Sequence, residues 1–170
     1  YITNHNGVPR LVDTNPDFSL NIDNIHNAIS PKTRAVLINS PNNPTGRVYP
    51  EQQIKELAAV LEDFRKKGHI IYLISDEPYR EIVYDNVKVP GILCNYSQSI
   101  VVNSYSKSLS IPGERIGFIA ANPACDYIDQ LMAGMILCNR ILGYVNAPAL
   151  MQRIVAELTA VTVDITPYRR

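Results

Sequence analysis

The stretch Ala35-Val36-Leu37-Ile38, running into Ser40-Pro41-Asn42-Asn43-Pro44-Thr45-Gly46, decides the reading of the fold. Four consecutive apolar residues bounded by turn residues are the pattern of a strand covered on both faces, as in parallel sheets. The seven residues after Asn39 include two prolines, two asparagines and a glycine. They suit neither helix nor strand interior, so a tight loop follows directly on the strand. Downstream, residues 51–67 predict an amphipathic helix with Ile54, Leu57, Ala58, Leu61 and Phe64 on one face. Glu51 at its start and Lys66 and Lys67 at its end match the helix dipole, and Gly68 is a natural stop. Residues 70–74, 100–102 and 116–120 predict three further buried strands.

Upstream, Ile22, Ile25 and Ile29 are spaced by three and four, which predicts a short helix over 23–29 closed by Pro31. Residues 8–12 are short and β-prone. Near the C-terminus a helical pattern runs from 126 to about 140, and Pro148 opens a last helix through Leu150, Ile154, Val155 and Leu158. Alternating strands and helices predict an α/β fold, a mostly parallel sheet flanked by helices.

Composition narrows the function. Among 170 residues, 16 Lys plus Arg balance 16 Asp plus Glu, so the chain has no electrostatic bias towards nucleic acid or anionic lipid. With 46% apolar and 19% charged residues the composition is globular. No apolar run approaches the roughly 18 residues that span a bilayer, and YITNHNGVPR has no basic region followed by an apolar stretch. Cys94, Cys125 and Cys138 are odd in number and lack C-x-x-C spacing, which argues against a disulfide framework or a zinc site. A cytoplasmic setting is the expectation. The absent initiator Met and the basic close DITPYRR lead to the expectation of a piece of a longer protein.

Ligands of parallel sheets collect at the carboxyl ends of strands, and three successive ends here carry unusual polar residues: Asn43, Asp76 and 104–107. Asp76 follows five apolar residues closely, so its carboxylate is partly desolvated and wants a cation, unless it caps a helix or pairs within a loop. Lys107 reads either as a solvated lysine or as a Schiff-base amine that loses its proton near neutral pH. Arg115 offers a fork for a phosphate or a carboxylate. Asn43 offers an amide or plain turn chemistry, and Tyr79 a phenol or plain packing. Together with Ser104 and Ser106 the set matches the needs of pyridoxal phosphate. The lysine holds the aldehyde as an imine, and the acid keeps the pyridine nitrogen protonated. The amide and phenol bond the phenolic oxygen, and the arginine and serines bind the phosphate.

Three motifs carry a resemblance: Ser40-Pro41-Asn42-Asn43-Pro44-Thr45-Gly46, Ser75-Asp76-Glu77-Pro78-Tyr79, and Ser104-Tyr105-Ser106-Lys107 followed by Pro112-Gly113-Glu114-Arg115-Ile116-Gly117. With 33 residues from Asn43 to Asp76, 31 from Asp76 to Lys107 and eight from Lys107 to Arg115, the chain resembles the class I/II aminotransferases of pyridoxal-phosphate fold type I, which include aspartate aminotransferase. The resemblance implies that Lys107 forms the Schiff base and shuttles the substrate α-proton. It implies that Asp76 pairs with the pyridine nitrogen, Asn43 and Tyr79 with the phenolic oxygen, and Ser104, Ser106 and Arg115 with the phosphate.

The same resemblance implies transfer of an amino group from an amino acid to a 2-oxo acid, by a homodimer without nucleic-acid or membrane partners. Two other functions keep the same cofactor residues. One is a pyridoxal-phosphate lyase acting on C–S bonds; the other is a cofactor-sensing, aminotransferase-like domain of a transcription regulator. Family members are considerably longer than this chain. Their Ser/Gly-rich phosphate loop and ring-stacking aromatic lie upstream, and their substrate-carboxylate arginine lies in a C-terminal domain that would begin near Tyr168. Residues 1–170 are therefore expected to be one partial domain, the middle of the cofactor-binding large domain, and to be inactive alone.

Overall fold

Asn21 starts the first helix, α1 (Ile22–Ala28), because its side chain accepts from the Asn24 N–H at 2.9 Å and so caps an orphan donor. The computed structural model describes residues 2–158, 161, 163 and 164. From α1 the chain passes through β1 (Ala35–Asn39), α2 (Glu51–Lys66), β2 (Tyr72–Asp76), β3 (Ser99–Ser104) and α3 (Tyr105–Ser108). It continues through β4 (Gly117–Ala121), α4 (Ile128–Ile141) and α5 (Ala149–Leu158). The sheet order is β1-β2-β3-β4, with β1, β2 and β3 parallel and β4 antiparallel to β3. The mostly parallel α/β reading therefore holds, with the reversed strand at one edge.

The core is built from the predicted face of α2. Ile54, Leu57 and Leu61 are buried and share one apolar cluster with Ile38, Leu73 and Val101 of the sheet and with Leu20, Ile25, Ile71, Ile92 and Tyr96 around it. Residues in register share a face of a sheet, so Val36, Ile38, Leu73 and Val101 form the face that meets α2. At the far end of α2, Arg65 holds Asp126 through two bonds of 2.8 and 3.0 Å, which ties the helix to the segment before α4. The Arg65 guanidinium keeps the Asp126 carboxyl below the usual carboxylate range.

Some expectations need correction. β1 is covered on one face only: Ile38 is buried but Leu37, its neighbour on the other face, is 63% exposed. β4 leaves Phe118 and Ile119, on opposite faces, both exposed, and α4 has no buried residue although it is rich in apolar ones. An unbroken apolar run cannot distinguish a strand covered twice from one covered once. Residues 8–12 form no strand; Val8 and Leu11 are 90% and 93% exposed. Pro9 removes a ladder donor there, and no neighbouring strand pairs with the segment. The second strand begins two residues later than expected and ends on Asp76 itself, which makes that carboxylate part of the ladder's last rung.

β3 and β4 pack tightly at Ser104 and Gly117, which face each other in the antiparallel register. A side chain at Gly117 would run into the Asn103 carbonyl oxygen and lie 3.2 Å from Ser104 Cα. Gly117→Ala is therefore expected to destabilise the chain by about 1–3 kcal/mol, since the strands must part to admit the methyl group. The midpoint of urea unfolding measures this, and a midpoint equal to wild type would contradict the close approach.

Candidate active site

The carboxyl ends of β1 and β2 are joined by one side chain. Asn39 closes β1 opposite Asp76. Its Nδ2 donates to the Asp76 backbone oxygen at 2.9 Å and reaches the Asp76 carboxylate Oδ2 at 3.4 Å. Its Oδ1 accepts from the Asn43 N–H at 2.8 Å. The loop then closes on itself: Gly46, at φ 70°, donates its N–H to Asn42 O at 2.8 Å, and Thr45 Oγ1 donates to Asn42 Oδ1 at 2.8 Å. The peptide bonds before Pro41 and Pro44 are cis. This loop presents the Asn43 amide, whose Nδ2 donates to the Tyr79 hydroxyl at 2.9 Å across 36 residues of sequence.

Tyr79 reaches that position from a turn directly after β2, in which the Arg80 N–H donates to Glu77 O at 3.1 Å. Over the same ring stands Lys107, with Nζ 5.8 Å from the ring centroid, a cation–π distance. Lys107 is placed by α3, which starts where Ser104 Oγ accepts from the Ser106 N–H at 3.1 Å and donates to Ser106 Oγ at 2.7 Å. Asn43, Tyr79 and Lys107 therefore lie in one chain of contacts, and the two serines form their own pair one turn away. Asp76 joins through the Asn39 bridge.

Asp76 is half-buried and, among the described residues, has no ion-pair partner. Burial pushes its carboxyl above the usual carboxylate range. An acid in that condition is a receptor for a cation. Arg115 is the one sequence candidate that stands apart. It is exposed, adopts φ 51°, and its Nη1 donates to the Pro112 carbonyl at 2.7 Å. Among the described residues no hydrogen bond joins it to Ser104 or Ser106. Beside the Asn43–Tyr79 pair opens a hollow of about 500 Å³, lined also by Pro44, Tyr84 and Val87.

Sequence reasoning missed Asn39, Glu77 and Arg80. A polar residue closing an apolar strand four positions before Asn43 was the available signal for Asn39. Glu77 and Arg80, three apart around the turn, were the signal for an ion pair.

An acid, an amide, a phenol and an amine gathered at the carboxyl ends of parallel strands define a sheet-end ligand site of the α/β type. The chain belongs to the aminotransferase class I and II family, whose sequence profile matches residues 1–162. It is 38% identical over 108 residues to aromatic-amino-acid aminotransferase 2 of Thermococcus litoralis, covering 62% of this chain and 26% of that protein. It is 30% identical over 136 residues to a probable aspartate aminotransferase of Methanocaldococcus jannaschii, covering 80% and 33%. An aminotransferase structure from Eubacterium rectale superposes with a TM-score of 0.86 at 43% identity, over 93% of this chain and 40% of that one. Thermus thermophilus aspartate aminotransferase, as a mutant, gives 0.74 at 29% identity, over 89% and 39%. The chain thus spans a third or less of the length of these two curated relatives.

The donor set fits the cofactor that this family implies. Pyridoxal phosphate brings a basic ring nitrogen, a phenolic oxygen, an aldehyde and a phosphate. The structure offers a desolvated acid without a cation, a joined amide and phenol, and a primary amine over the phenol ring.

Asp76 gives a pH test without any ligand. Its folded-state pKa is raised, so the cost of ionising it appears as pH rises from the usual carboxylate value through the folded value, and persists at pH 7. Asp76→Asn is expected to raise the Tm of the cofactor-free chain at pH 7, with the gain vanishing below about pH 3.8. Equal Tm values at both pH values would contradict the raised pKa.

Proposed function

We propose that these residues form the cofactor-binding part of a pyridoxal-phosphate-dependent aminotransferase. The whole protein would move an amino group from an amino acid to a 2-oxo acid. The observation that carries the reading is the contact chain Asn43–Tyr79–Lys107 beside a half-buried Asp76 that has no ion-pair partner among the described residues, in a chain of this family. When bound, pyridoxal phosphate supplies an aldehyde that condenses with amines and a ring that withdraws electrons from the substrate Cα.

The chain's own residues do the rest. Lys107 offers its Nζ to the aldehyde. As a free amine, the same Nζ would take the proton from the substrate Cα and return it. Asp76 would hold a proton on the ring nitrogen, a cation that would offset the burial cost raising the Asp76 pKa. Asn43 Nδ2 and the Tyr79 hydroxyl donate to the phenolic oxygen and fix the plane of the ring. Ser104, Ser106 and Arg115 serve the phosphate; Arg115 exchanges the Pro112 carbonyl for it, which its exposure allows.

Residues 1–170 act in this reading as one partial domain, the large domain of a cytoplasmic homodimer. Among the described residues no helix is long and apolar enough to cross a membrane. Because the chain spans a third or less of the two relatives above, turnover belongs to the whole protein, and the isolated chain is inactive.

Lys107→Ala in the whole protein is expected to cut transamination by about a thousandfold or more, because it removes the proton carrier. Product 2-oxo acid formed with and without an amino acceptor measures it. Near-normal transfer by the variant would overturn the assignment, and ammonia release that needs no acceptor in wild type would replace transfer with elimination.

A further inference from the structure

Glu77 is the most deeply buried carboxylate described in the chain, at 2% exposure, and it lies between Asp76 and the turn that carries Tyr79. Its backbone N–H continues the ladder, donating to Val102 O at 2.8 Å. Its Oε2 accepts from Arg80 Nη1 at 2.7 Å. That ion pair spans the same four residues as the turn closed by the Arg80 N–H and Glu77 O, with Pro78 and Tyr79 at its two central positions. The Arg80 guanidinium makes two more bonds: Nη1 to Pro90 O at 3.2 Å and Nη2 to Val89 O at 3.0 Å. One arginine thus fixes the start of the segment 80–90 and its end. Tyr84 and Val87 of that segment line the hollow beside Asn43.

We infer that Glu77 and Arg80 are positioning residues: their ion pair, with its carboxylate buried, holds the turn that aims the Tyr79 hydroxyl at Asn43 Nδ2 and pins the 80–90 segment that walls the same hollow. Breaking a pair at so buried a carboxylate leaves it without its partner in the protein interior, so the Glu77–Arg80 contact resists relaxation of the turn. The fork geometry matters as well as the charge. A lysine at 80 can face Glu77 but cannot also bond two carbonyls in one plane. The consequence for the site rests on the aminotransferase reading above. Two donors fixed on the phenolic oxygen favour its ionised form, so a loosened Tyr79 raises the pH at which the visible band of the bound cofactor titrates.

The experiment compares the full chain as wild type, Arg80→Gln, Arg80→Lys and Glu77→Gln. Without cofactor, the backbone amide at position 80 is expected to lose about tenfold in protection, relative to its intrinsic exchange rate, in Arg80→Gln while the amides of α2 keep theirs. The NMR signal of the Tyr79 ring shifts in the same variant. With pyridoxal phosphate, Arg80→Gln binds about tenfold more weakly, and its band titrates at higher pH; Arg80→Lys falls between it and wild type. Wild-type affinity and band titration in Arg80→Gln would overturn the proposal. So would a loss of protection shared equally by α2, which would mean global stability only. If wild type itself binds no cofactor, the aminotransferase reading of this chain fails, and the cofactor-free arm alone then decides. An unshifted Tyr79 signal overturns the positioning role, and a shifted one supports it.

Discussion

One carboxamide, that of Asn39, holds the site together. The parallel register sets it opposite Asp76, and it spends its donor on the β2 end and its acceptor on the Asn43 N–H. A single planar group therefore couples two strands and the loop that presents Asn43. An amide suits this place because it donates and accepts at once. An acid would accept twice and face the Asp76 carboxylate as a like charge. Everything further along depends on this bridge: the Asn43 amide reaches Tyr79, and the Tyr79 ring reaches Lys107.

The sheet behind the site is asymmetric. One face carries the α2 core; the other leaves Leu37 and Ile119 exposed while Ile100 is buried. The face shared by Leu37 and Ile119 is also the face of Asn39, Asp76, Val102 and Ser104, by register. Polar groups of the site and the open apolar face thus belong to one surface. Asp76 is half-buried there and has no counter-charge among the described residues, which is a cost to the cofactor-free chain and a reason for it to bind a cation.

Much of this was legible in the sequence, for reasons that differ by element. The face of α2 was legible because a period of 3.6 residues leaves little freedom: Ile54, Leu57 and Leu61 are where the spacing puts them. The three strand ends were legible because turn chemistry follows each apolar run directly. The number of covered faces was not, because β1 and β4 have runs as apolar as those of interior strands and differ only in what packs on them. Of the candidate site, Asn43, Asp76, Tyr79 and Lys107 were singled out from residue type and spacing, and the structure brings them together. Asn39 was missed because its role comes from register, which is non-local. Glu77 and Arg80 were missed because attention went to the motif's acid and phenol rather than to what holds them. Arg115 shows the reverse case: residue type singled it out, and the structure gives its guanidinium to its own turn.

The central claim is that Lys107 is the amine of a preformed half-site. Incubating the chain with pyridoxal phosphate, reducing with borohydride and mapping peptides by mass spectrometry tests it most directly. The account predicts one stoichiometric label, on Lys107. Labels scattered over surface lysines, or none, would contradict it.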